Sequence, residues 1–342
     1  MTVTVAIKAL DEEAHIRAAL ETALRAVAPL GGRVVLADCG SRDATLAIAR
    51  SLAATAPLRI LTLAHREQRS CGAGAQLAYQ GVDTPYFYLM DGDMRLREDF
   101  LAPALTYLEA HPGCAGVGGT VIETLIANEE FQIRQAAMAH EAHRREGPVD
   151  RLDGGGLYRT AAIRALGYFA NANLQSFEEF DLAARLGAAG WSLARIDRPA
   201  VEHTGHATSG YRLLWRRFSS GRMSGAGQVL RAALGHPHCG RVLRQLTPVR
   251  VGGVIVGWWG LGLGLALTGA GAGQGPALVA LVALPVLFLS LRRRSLRLGI
   301  YSFCQWNLTA LAMIGGLARR QRDPASGVEA REITPAVPGV PA

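Results

Sequence analysis

Residues 86–93 read YFYLMDGD, and this stretch decides the expected fold. Its first five residues are all apolar, which is typical of a strand buried on both faces of a sheet. Such a strand cannot carry a charge, so Asp91 and Asp93 must lie where the strand ends. Two carboxylates one residue apart can ligate one divalent cation, but Asp-Gly-Asp is also a common turn sequence. The stretch therefore predicts a buried strand that ends in either a metal site or a simple turn.

Strands and helices alternate in the sequence before this stretch. Residues 3–9, 34–37 and 58–63 are apolar or β-branched runs, and each is followed by apolar residues at helical spacing. The alternation predicts a parallel sheet with helices on both faces, and in such sheets ligands bind beyond the carboxyl ends of the strands. Four polar groups should therefore meet in one crevice: residues 9–13, 38–45, 65–69 and 91–93.

The sequence after residue 250 has a different composition, which predicts attachment to a membrane. Three apolar segments lie at about residues 251–270, 276–291 and 298–318. The first two are long enough, or nearly so, to cross a bilayer, and a hairpin of two crossings would leave both arginine-rich ends on one side. The third contains Gln305 and Asn307 and has basic residues at both ends. It could therefore cross, re-enter or lie at the interface.

Charge and cysteine content limit the function classes. The net charge is +8, but much of the excess lies beside the apolar segments, where basic residues act as topology signals and contact lipid headgroups, so we do not expect nucleic-acid binding. The five cysteines are widely spaced, which indicates a reducing compartment, and the opening residues are too short an apolar run for a secretory signal. We expect a multi-pass protein of the inner, or cell, membrane with a cytoplasmic catalytic domain.

The predicted organisation has four parts. Residues 1–225 form the α/β catalytic domain, residues 226–250 a basic juxtamembrane linker, residues 251–318 the membrane region, and residues 323–342 a tail expected to be disordered. Within the first part, residues 209–222 combine an aromatic stripe with arginines. This pattern indicates a helix that lies in the membrane interface or packs on the catalytic domain.

Four short motifs follow one another along the catalytic domain: IKALDEE at residues 7–13, DCGSRDAT at 38–45, DGD at 91–93 and FEEFDL at 177–182. In this order they resemble the membrane-associated branch of the family 2 glycosyltransferases, over about residues 1–225. The resemblance implies the GT-A fold, a Rossmann-like and mostly parallel α/β sheet with flanking helices. C-terminal transmembrane helices would follow this fold.

The resemblance also assigns residues to the nucleotide of the donor. Ala9, Leu10 and Glu12 stand in the family's first nucleotide-binding loop, whose usual pattern is Pro-Ala-Tyr-Asn-Glu-Glu. The chain departs from that pattern at Lys8, where the family has proline, and at Leu10, where it has an aromatic residue. Asp38 stands at the position that contacts the nucleobase in the family.

Residues for the metal and the diphosphate follow from the same resemblance. Asp91 is expected to contact the ribose and the metal, Asp93 the metal and the diphosphate, and Gly92 lies between them. His203 stands where several family members have a metal-coordinating histidine. Arg69, which precedes a glycine-rich helix start, is a further candidate for contact with the diphosphate.

The family's Glu-Asp motif supplies the base that deprotonates the acceptor, and it aligns here with Glu178 and Glu179. A glutamate thus stands where aspartate is usual, which moves the carboxylate by about one bond and keeps it within hydrogen-bond reach. We predict Glu179 as the base and Glu178 as the second candidate. A glycine-rich loop at residues 153–158 is predicted to cover the sugar.

These assignments predict an inverting transfer of sugar from a nucleotide-sugar donor, expected to be a UDP-sugar, with Mn²⁺ or Mg²⁺ as cofactor. The acceptor is expected to be a membrane lipid or a lipid-linked glycan. Because the Gln-x-x-Arg-Trp signature of processive synthases is absent around Trp215, a single addition is expected. A nucleotidyltransferase would need a basic, glycine-rich loop where Glu12 and Glu13 stand. A non-catalytic membrane scaffold with a degenerate transferase domain is the other alternative.

Overall fold

The computed structural model describes residues 3–124, 142–204, 210–267 and 274–334. The chain forms two compact units. The first unit is drawn from Met1–Ile126, Arg134–His206 and Gln321–Ala342, and the second from Ala127–Ile133 and Ala207–Arg320.

The first unit is built on one mixed sheet whose first half follows the predicted alternation. Four parallel strands form this half: β1 (Val3–Ala9), β2 (Arg33–Asp38), β3 (Leu58–Leu63) and β4 (Tyr86–Asp91). Three helices connect them: α1 (Ile16–Val27), α2 (Thr45–Ala53) and α3 (Cys71–Gln80). In β4, Phe87 packs in the core on one face and Tyr88 in the core on the other, which confirms a strand buried on both faces.

The second half of the sheet contains antiparallel pairs that the sequence did not predict. Its strands are β5 (Met94–Leu96), β6 (Cys114–Glu123), β7 (Gly147–Val149), β8 (Gly156–Arg159) and β9 (Ser192–His203). The helices of this half are α4 (Leu101–Ala110), α5 (Thr160–Ala165) and α6 (Glu178–Ala188). Strand β8 is antiparallel to both of its neighbours, β4 and β6, while β6 pairs with β9 in parallel.

The predicted loop at residues 153–158 is therefore wrong in its second half. Gly156 is the first residue of β8, which is buried in the centre of the sheet. Gly154 and Gly155 have φ values of 71° and 98°, a region open to glycine, and a Cβ on Gly155 would lie 2.6 Å from the hydroxyl of Tyr88. These glycines bring the chain close to β4 and do not form a lid.

Six helices make up most of the described part of the second unit: α7 (Gly210–Ser219), α8 (Gly225–Ala233), α9 (Cys239–Gln245), α10 (Thr247–Leu267), α11 (Gln274–Arg293) and α12 (Leu296–Ala318). Helix α8 packs closely on α12, because a Cβ on Gly227 would lie only 1.9 Å from the carbonyl oxygen of Met313. The second unit also contains α7, which the sequence analysis assigned to the catalytic domain of residues 1–225.

Two of the helices that the structure describes are long and apolar enough to cross a membrane, judged by length and composition. They are Thr247–Leu267 and Gly275–Arg293. Their positions correspond to the first two predicted segments. The third predicted segment forms α12, which does not meet the same criteria.

The tail corrects a prediction. After α12 the chain returns to the first unit, and strand β10 (Ala330–Glu332) pairs antiparallel with the edge strand β3. The guanidinium of Arg59 donates to both carboxylate oxygens of Glu332, at 3.2 and 2.9 Å. An edge strand offers unpaired backbone groups to any segment that reaches it, so the tail needs no apolar periodicity to be ordered there. The disorder predicted for residues 323–342 is wrong for residues 323–334, and the rest lies outside the described residues.

Candidate active site

The loops that follow β1 and β2 are joined by hydrogen bonds. The amide of Asp11 donates to Ser41 Oγ at 2.9 Å, and the amide of Glu12 donates to Thr45 Oγ1 at 2.8 Å. The amide of Arg42 donates in the opposite direction, to Asp11 Oδ1 at 2.7 Å. Polar side chains thus satisfy backbone groups that the strand ends leave open. The structure brings the first two predicted groups together.

The triplet after β4 lies against the same loop. The amide of Gly92 donates to the carbonyl of Lys8 at 2.9 Å. A Cβ on Gly92 would lie 3.0 Å from Ala9 Cβ and 3.2 Å from Glu12 Cγ. Only glycine at position 92 lets the triplet Asp91-Gly92-Asp93, called the donor triplet below, come this close to the loop after β1. Ala9, Glu12 and Gly92 thus lie side by side at the ends of β1 and β4.

Lys8 connects the donor triplet to the predicted base motif, and the sequence analysis recorded it only as a departure from the family pattern. Its Nζ lies 3.1 Å from Asp91 Oδ1 and 2.6 Å from Glu178 Oε1. Burial by itself lowers the pKa of Lys8, but the two carboxylates outweigh this effect and hold the pKa well above its usual value. The signal was present in the sequence, because a lysine at the end of a buried strand needs an acidic partner.

Glu178 and Glu179 are the first two residues of α6. Phe177, just before them, has a φ of 66°, so the chain turns sharply into the helix. Inside the helix, Arg185 donates to the buried carboxylate of Asp181 at 2.8 Å and to two backbone carbonyls of the preceding loop. This anchor fixes the helix, and with it the position of the two glutamates.

The two glutamates have different surroundings. Glu178 is only 4% exposed, and it accepts a hydrogen bond from Lys8. Among the described residues, none forms a hydrogen bond or ion pair with the carboxylate of Glu179. Burial, followed by repulsion from Glu178, raises the pKa of Glu179 to about 8. Glu179 is thus a carboxylate with high proton affinity, which is the property required of a general base.

His203, at the end of β9, lies between two carboxylates. Its Nε2 is 3.3 Å from Asp93 Oδ2, and its Nδ1 is 2.6 Å from Glu123 Oε2. Burial alone lowers the pKa of His203, but hydrogen bonds to Asp93 and Glu123 raise it to about 9. Glu123 was missed from the sequence because it is the last residue of β6, a strand that contains none of the four motifs.

Asp93 and His203 offer the ligand types that Mn²⁺ accepts in proteins, one oxygen and, after His203 releases its proton, one nitrogen. In the described part of the chain no three His, Cys, Asp or Glu side chains are arranged to hold a metal ion by themselves. Divalent cations at nucleotide sites often take one or two protein ligands and complete their shell with phosphate oxygens. The side chains therefore fit a metal that binds together with a diphosphate.

Asp38 does not have the exposure expected for a nucleobase contact. Its carboxylate is completely buried and accepts hydrogen bonds from the amides of Gly40 and Ser41 and from the hydroxyl of Thr62. It fixes the conformation of the second loop. Direct contact with a base is therefore not supported for this residue.

Two further residues, Leu10 and Arg69, were expected to contact the nucleotide. Leu10 is half-buried and packs on one of the two cores. The side chain of Arg69 is exposed, whereas the neighbouring Arg66 donates to the carbonyl of Ser41 in the second loop. Of the two arginines, Arg66 has the observed contact with the crevice.

Residues 4–165 match the model of the glycosyl transferase family 2. These residues form a family 2 glycosyltransferase domain. This glycosyltransferase is also similar to the succinoglycan biosynthesis protein ExoA of Rhizobium meliloti (strain 1021). The two are 27% identical over 270 residues, which cover 74% of this chain and 76% of ExoA. This match argues against the nucleotidyltransferase considered from the sequence, whereas a scaffold with a degenerate transferase domain is distinguished by the donor screen described below.

Solved structures support the fold of this glycosyltransferase. The mannosyltransferase PcManGT from Pyrobaculum calidifontis has a TM-score of 0.60 at 17% identity, over 92% of this chain and 87% of the other. S. aureus TarS 1-349 has a TM-score of 0.55 at 13% identity, over 92% and 91%. At such identities the likeness concerns the fold, and it confirms the predicted GT-A architecture.

Proposed function

We propose that this glycosyltransferase adds one sugar, with inversion at the anomeric carbon, from a nucleotide-sugar donor to a hydroxyl of a lipid or lipid-linked acceptor. The observation that carries the proposal is the contrast between the two neighbouring glutamates. Lys8 neutralises Glu178 and also contacts Asp91 of the donor triplet, whereas Glu179 keeps a carboxylate of high proton affinity within electrostatic range of Asp91. A single base acting in one direct displacement inverts the configuration.

In this mechanism Glu179, once ionised, takes the proton of the acceptor hydroxyl while the hydroxyl oxygen attacks the anomeric carbon. The bond from that carbon to the donor's diphosphate breaks, and the nucleoside diphosphate leaves. Asp93 and His203 would hold a divalent metal, which when bound neutralises the negative charge of the leaving diphosphate. Lys8 keeps Glu178 in place as a structural neighbour of the base.

The donor and the cofactor are proposed on two further grounds. The structure of PcManGT contains GDP-Man and Mn²⁺, which supports a nucleotide sugar and a divalent metal for the same fold. We infer a UDP-sugar as donor and Mn²⁺ or Mg²⁺ as metal for this chain. ExoA is named for succinoglycan biosynthesis, which supports a role in the assembly of a glycan or glycolipid.

Attachment to the cell membrane is proposed from the exposed apolar surface of α10 and α11. In the most apolar 18-residue stretches of α10 and α11, only 17% and 11% of the residues are buried, whereas a core helix of a soluble protein would be mostly buried. Side chains such as Val254, Leu267 and Val279 are more than two thirds exposed, at 73%, 77% and 70%. We propose that lipid covers this surface and that the catalytic domain lies on the cytoplasmic side.

The test is a donor screen on membranes that contain the protein. UDP-, GDP- and dTDP-sugars are supplied with Mn²⁺, with Mg²⁺ or with a chelator, and both the released nucleotide and the label in the lipid extract are measured. We expect one donor to release nucleotide only with metal and to label the lipid fraction. Membranes that contain the Asp93→Asn variant are the blank. If no donor is turned over above this blank, or if release never accompanies labelling, the proposal is wrong.

A further inference from the structure

The path of the chain after α12 restricts how the second unit can cross a membrane. Helix α12 ends at Ala318, and Arg322 already forms two hydrogen bonds with Asn173 of the first unit, each 2.9 Å long. Four steps of about 3.8 Å between Cα atoms span at most about 15 Å, half the roughly 30 Å of a bilayer's hydrocarbon core. The end of α12 therefore lies on the same side of the membrane as the catalytic sheet.

The start of α10 lies on that side as well. Between β9 and α10 the described helices are α7, α8 and α9, with 10, 9 and 7 residues. A crossing needs about 20 residues of helix, so none of these three can span. The number of crossings between β9 and β10 must then be even. At least one of α10, α11 and α12 does not cross.

The composition and the unbroken length of α12 indicate that it is the helix that does not cross. Helices α10 and α11 pass the length and composition criteria, and α12 does not. Helix α12 is also one unbroken helix of 23 residues, about 34 Å long, and it contains no proline at which it could turn back. With both ends on one side, such a helix can only lie along the membrane surface.

A second observation, the position of α7, points independently to the same arrangement. Near the start of α12 the ring of Tyr211 contacts that of Tyr301, with centroids 5.2 Å apart. Near its end, Gly221 lies beside Arg319, since an added Cβ would be 3.9 Å from the guanidinium. Helix α7 thus runs along α12 and carries three arginines, Arg212, Arg216 and Arg217. A crossing α12 would draw these charges into hydrocarbon, where arginine is strongly disfavoured.

We infer that α10 and α11 cross the membrane as a hairpin, while α12 lies with α7 on the membrane surface and both ends of α12 face the side of the catalytic sheet. The inference rests on the membrane attachment in the proposed function. The partner is a lipid surface rich in anionic headgroups, because arginines flank α12 at both ends and line α7. The arginines before or at the start of α12 are Arg292, Arg293, Arg294 and Arg297, and those after its end are Arg319, Arg320 and Arg322.

Cysteine labelling in whole cells tests this topology. Three single-cysteine variants are made in the full chain after the five native cysteines are replaced: Ala272→Cys between α10 and α11, Ser326→Cys after α12, and Ser51→Cys on the exposed face of α2. A membrane-impermeant maleimide is applied before and after permeabilisation. We expect Ala272→Cys to be labelled in intact cells. Ser326→Cys and Ser51→Cys should remain unlabelled in intact cells and react only after permeabilisation.

Ser51→Cys is the matched reference because it reports the side of the catalytic sheet. If Ser326→Cys and Ser51→Cys react on opposite sides, or if Ala272→Cys reacts on the same side as both, the inference is wrong. A catalytic domain on the outer face would instead place both reference sites outside, which refutes the cytoplasmic location but preserves the topology. Donor turnover, measured on the same membranes, reports separately on the proposed reaction.

Replacement of the native cysteines can impair folding, so a second measurement leaves these cysteines in place and uses C-terminal fusions. A fluorescent protein or alkaline phosphatase is fused after residue 342, and the same two reporters are fused after residue 271 of a truncated chain. We expect fluorescence from the full-length fusion and phosphatase activity from the truncated one. Activity of the same reporter in both fusions would overturn the inference, whereas phosphatase activity from the full-length fusion with fluorescence from the truncated one would refute only the cytoplasmic location.

Discussion

The proposed donor side, which contains Asp93, and the proposed base side, which contains Glu178 and Glu179, both gather carboxylates, but they differ in the cation that lies beside these carboxylates. On the donor side, His203 lies within 3.3 Å of Asp93 and 2.6 Å of Glu123, so its positive charge is shared between them. On the base side, Lys8 forms its ion pair with Glu178 and acts on Glu179 only at longer range, so that within the described residues Glu179 has no ion pair of its own. The comparison indicates that the carboxylates with a close cation are suited to hold position and to bind, while the carboxylate without an ion pair is suited to move a proton.

The largest effect is expected from loss of the donor side. Asp93→Ala removes the carboxylate beside His203, so metal-dependent donor binding should fall below detection and transfer should stop. Binding of the nucleotide sugar is measured by calorimetry with and without Mn²⁺. Asp99→Ala is the control, because Asp99 is an exposed acid on the same unit with only a 3.7 Å contact to Arg97. Equal, metal-dependent binding by both variants would remove Asp93 from the metal site.

A smaller effect is expected at Glu123, which holds the other ring nitrogen of His203. Loss of such an outer partner typically costs about 10- to 100-fold in metal affinity. Glu123→Gln should weaken Mn²⁺ binding by this factor, and excess Mn²⁺ should restore most of the transfer rate. Mn²⁺ titration by electron paramagnetic resonance is the measurement, with Glu202→Gln as the control on the same strand pair. Lost transfer with unchanged Mn²⁺ affinity would contradict the role given to Glu123.

The base side is tested by pH dependence. With a pKa of about 8, Glu179 is protonated at low pH, so transfer should rise with pH and level off above about 8. Lys8→Met removes a positive charge that lowers this pKa and should shift the profile to higher pH. Glu178→Gln removes a negative charge that raises it and should shift the profile to lower pH. Shifts in the same direction, or no shift in either variant, would contradict the assignment.

The smallest effect is expected far from both sides, at the tail. The pair of Arg59 and Glu332 is partly exposed, so breaking it should cost about 1 kcal/mol or less. Glu332→Arg should make the tail more sensitive to limited proteolysis, and the double variant with Arg59→Glu should recover. Donor turnover should be unchanged in both variants. Unaltered cleavage of the tail in Glu332→Arg would argue against the observed pairing.

The sequence predicted best where one residue pattern determined one element. The apolar run of β4 could only be a buried strand, and its acids had to lie at its end, next to the first two loops. The strand β8 was missed because three glycines at residues 154–156 are typical of a loop, whereas here they let a strand approach β4. The tail was missed because backbone pairing at an edge strand leaves no signature in side-chain composition.

In the site, motif positions identified the acids but not their partners. Asp91, Asp93, Glu178 and Glu179 were named from the sequence, yet the role of each depends on which cation lies beside it. Lys8 and Glu123 are 115 positions apart in the sequence and lie on different strands. Lys8 meets Asp91 and Glu178, and Glu123 meets His203, only in the folded sheet. Asp38 shows the opposite case, since its motif position implied a ligand contact while its burial makes it a support for the loop.

The central claim is that Glu179, and not its neighbour Glu178, is the base. It is tested most directly by comparing Glu179→Gln with Glu178→Gln under saturating donor and metal, with transfer rate and donor affinity measured on the same preparations. We predict that Glu179→Gln keeps donor affinity and loses about 10²- to 10⁴-fold in rate, the usual contribution of a general base, whereas Glu178→Gln keeps measurable transfer. Parent-like transfer by Glu179→Gln would contradict the account.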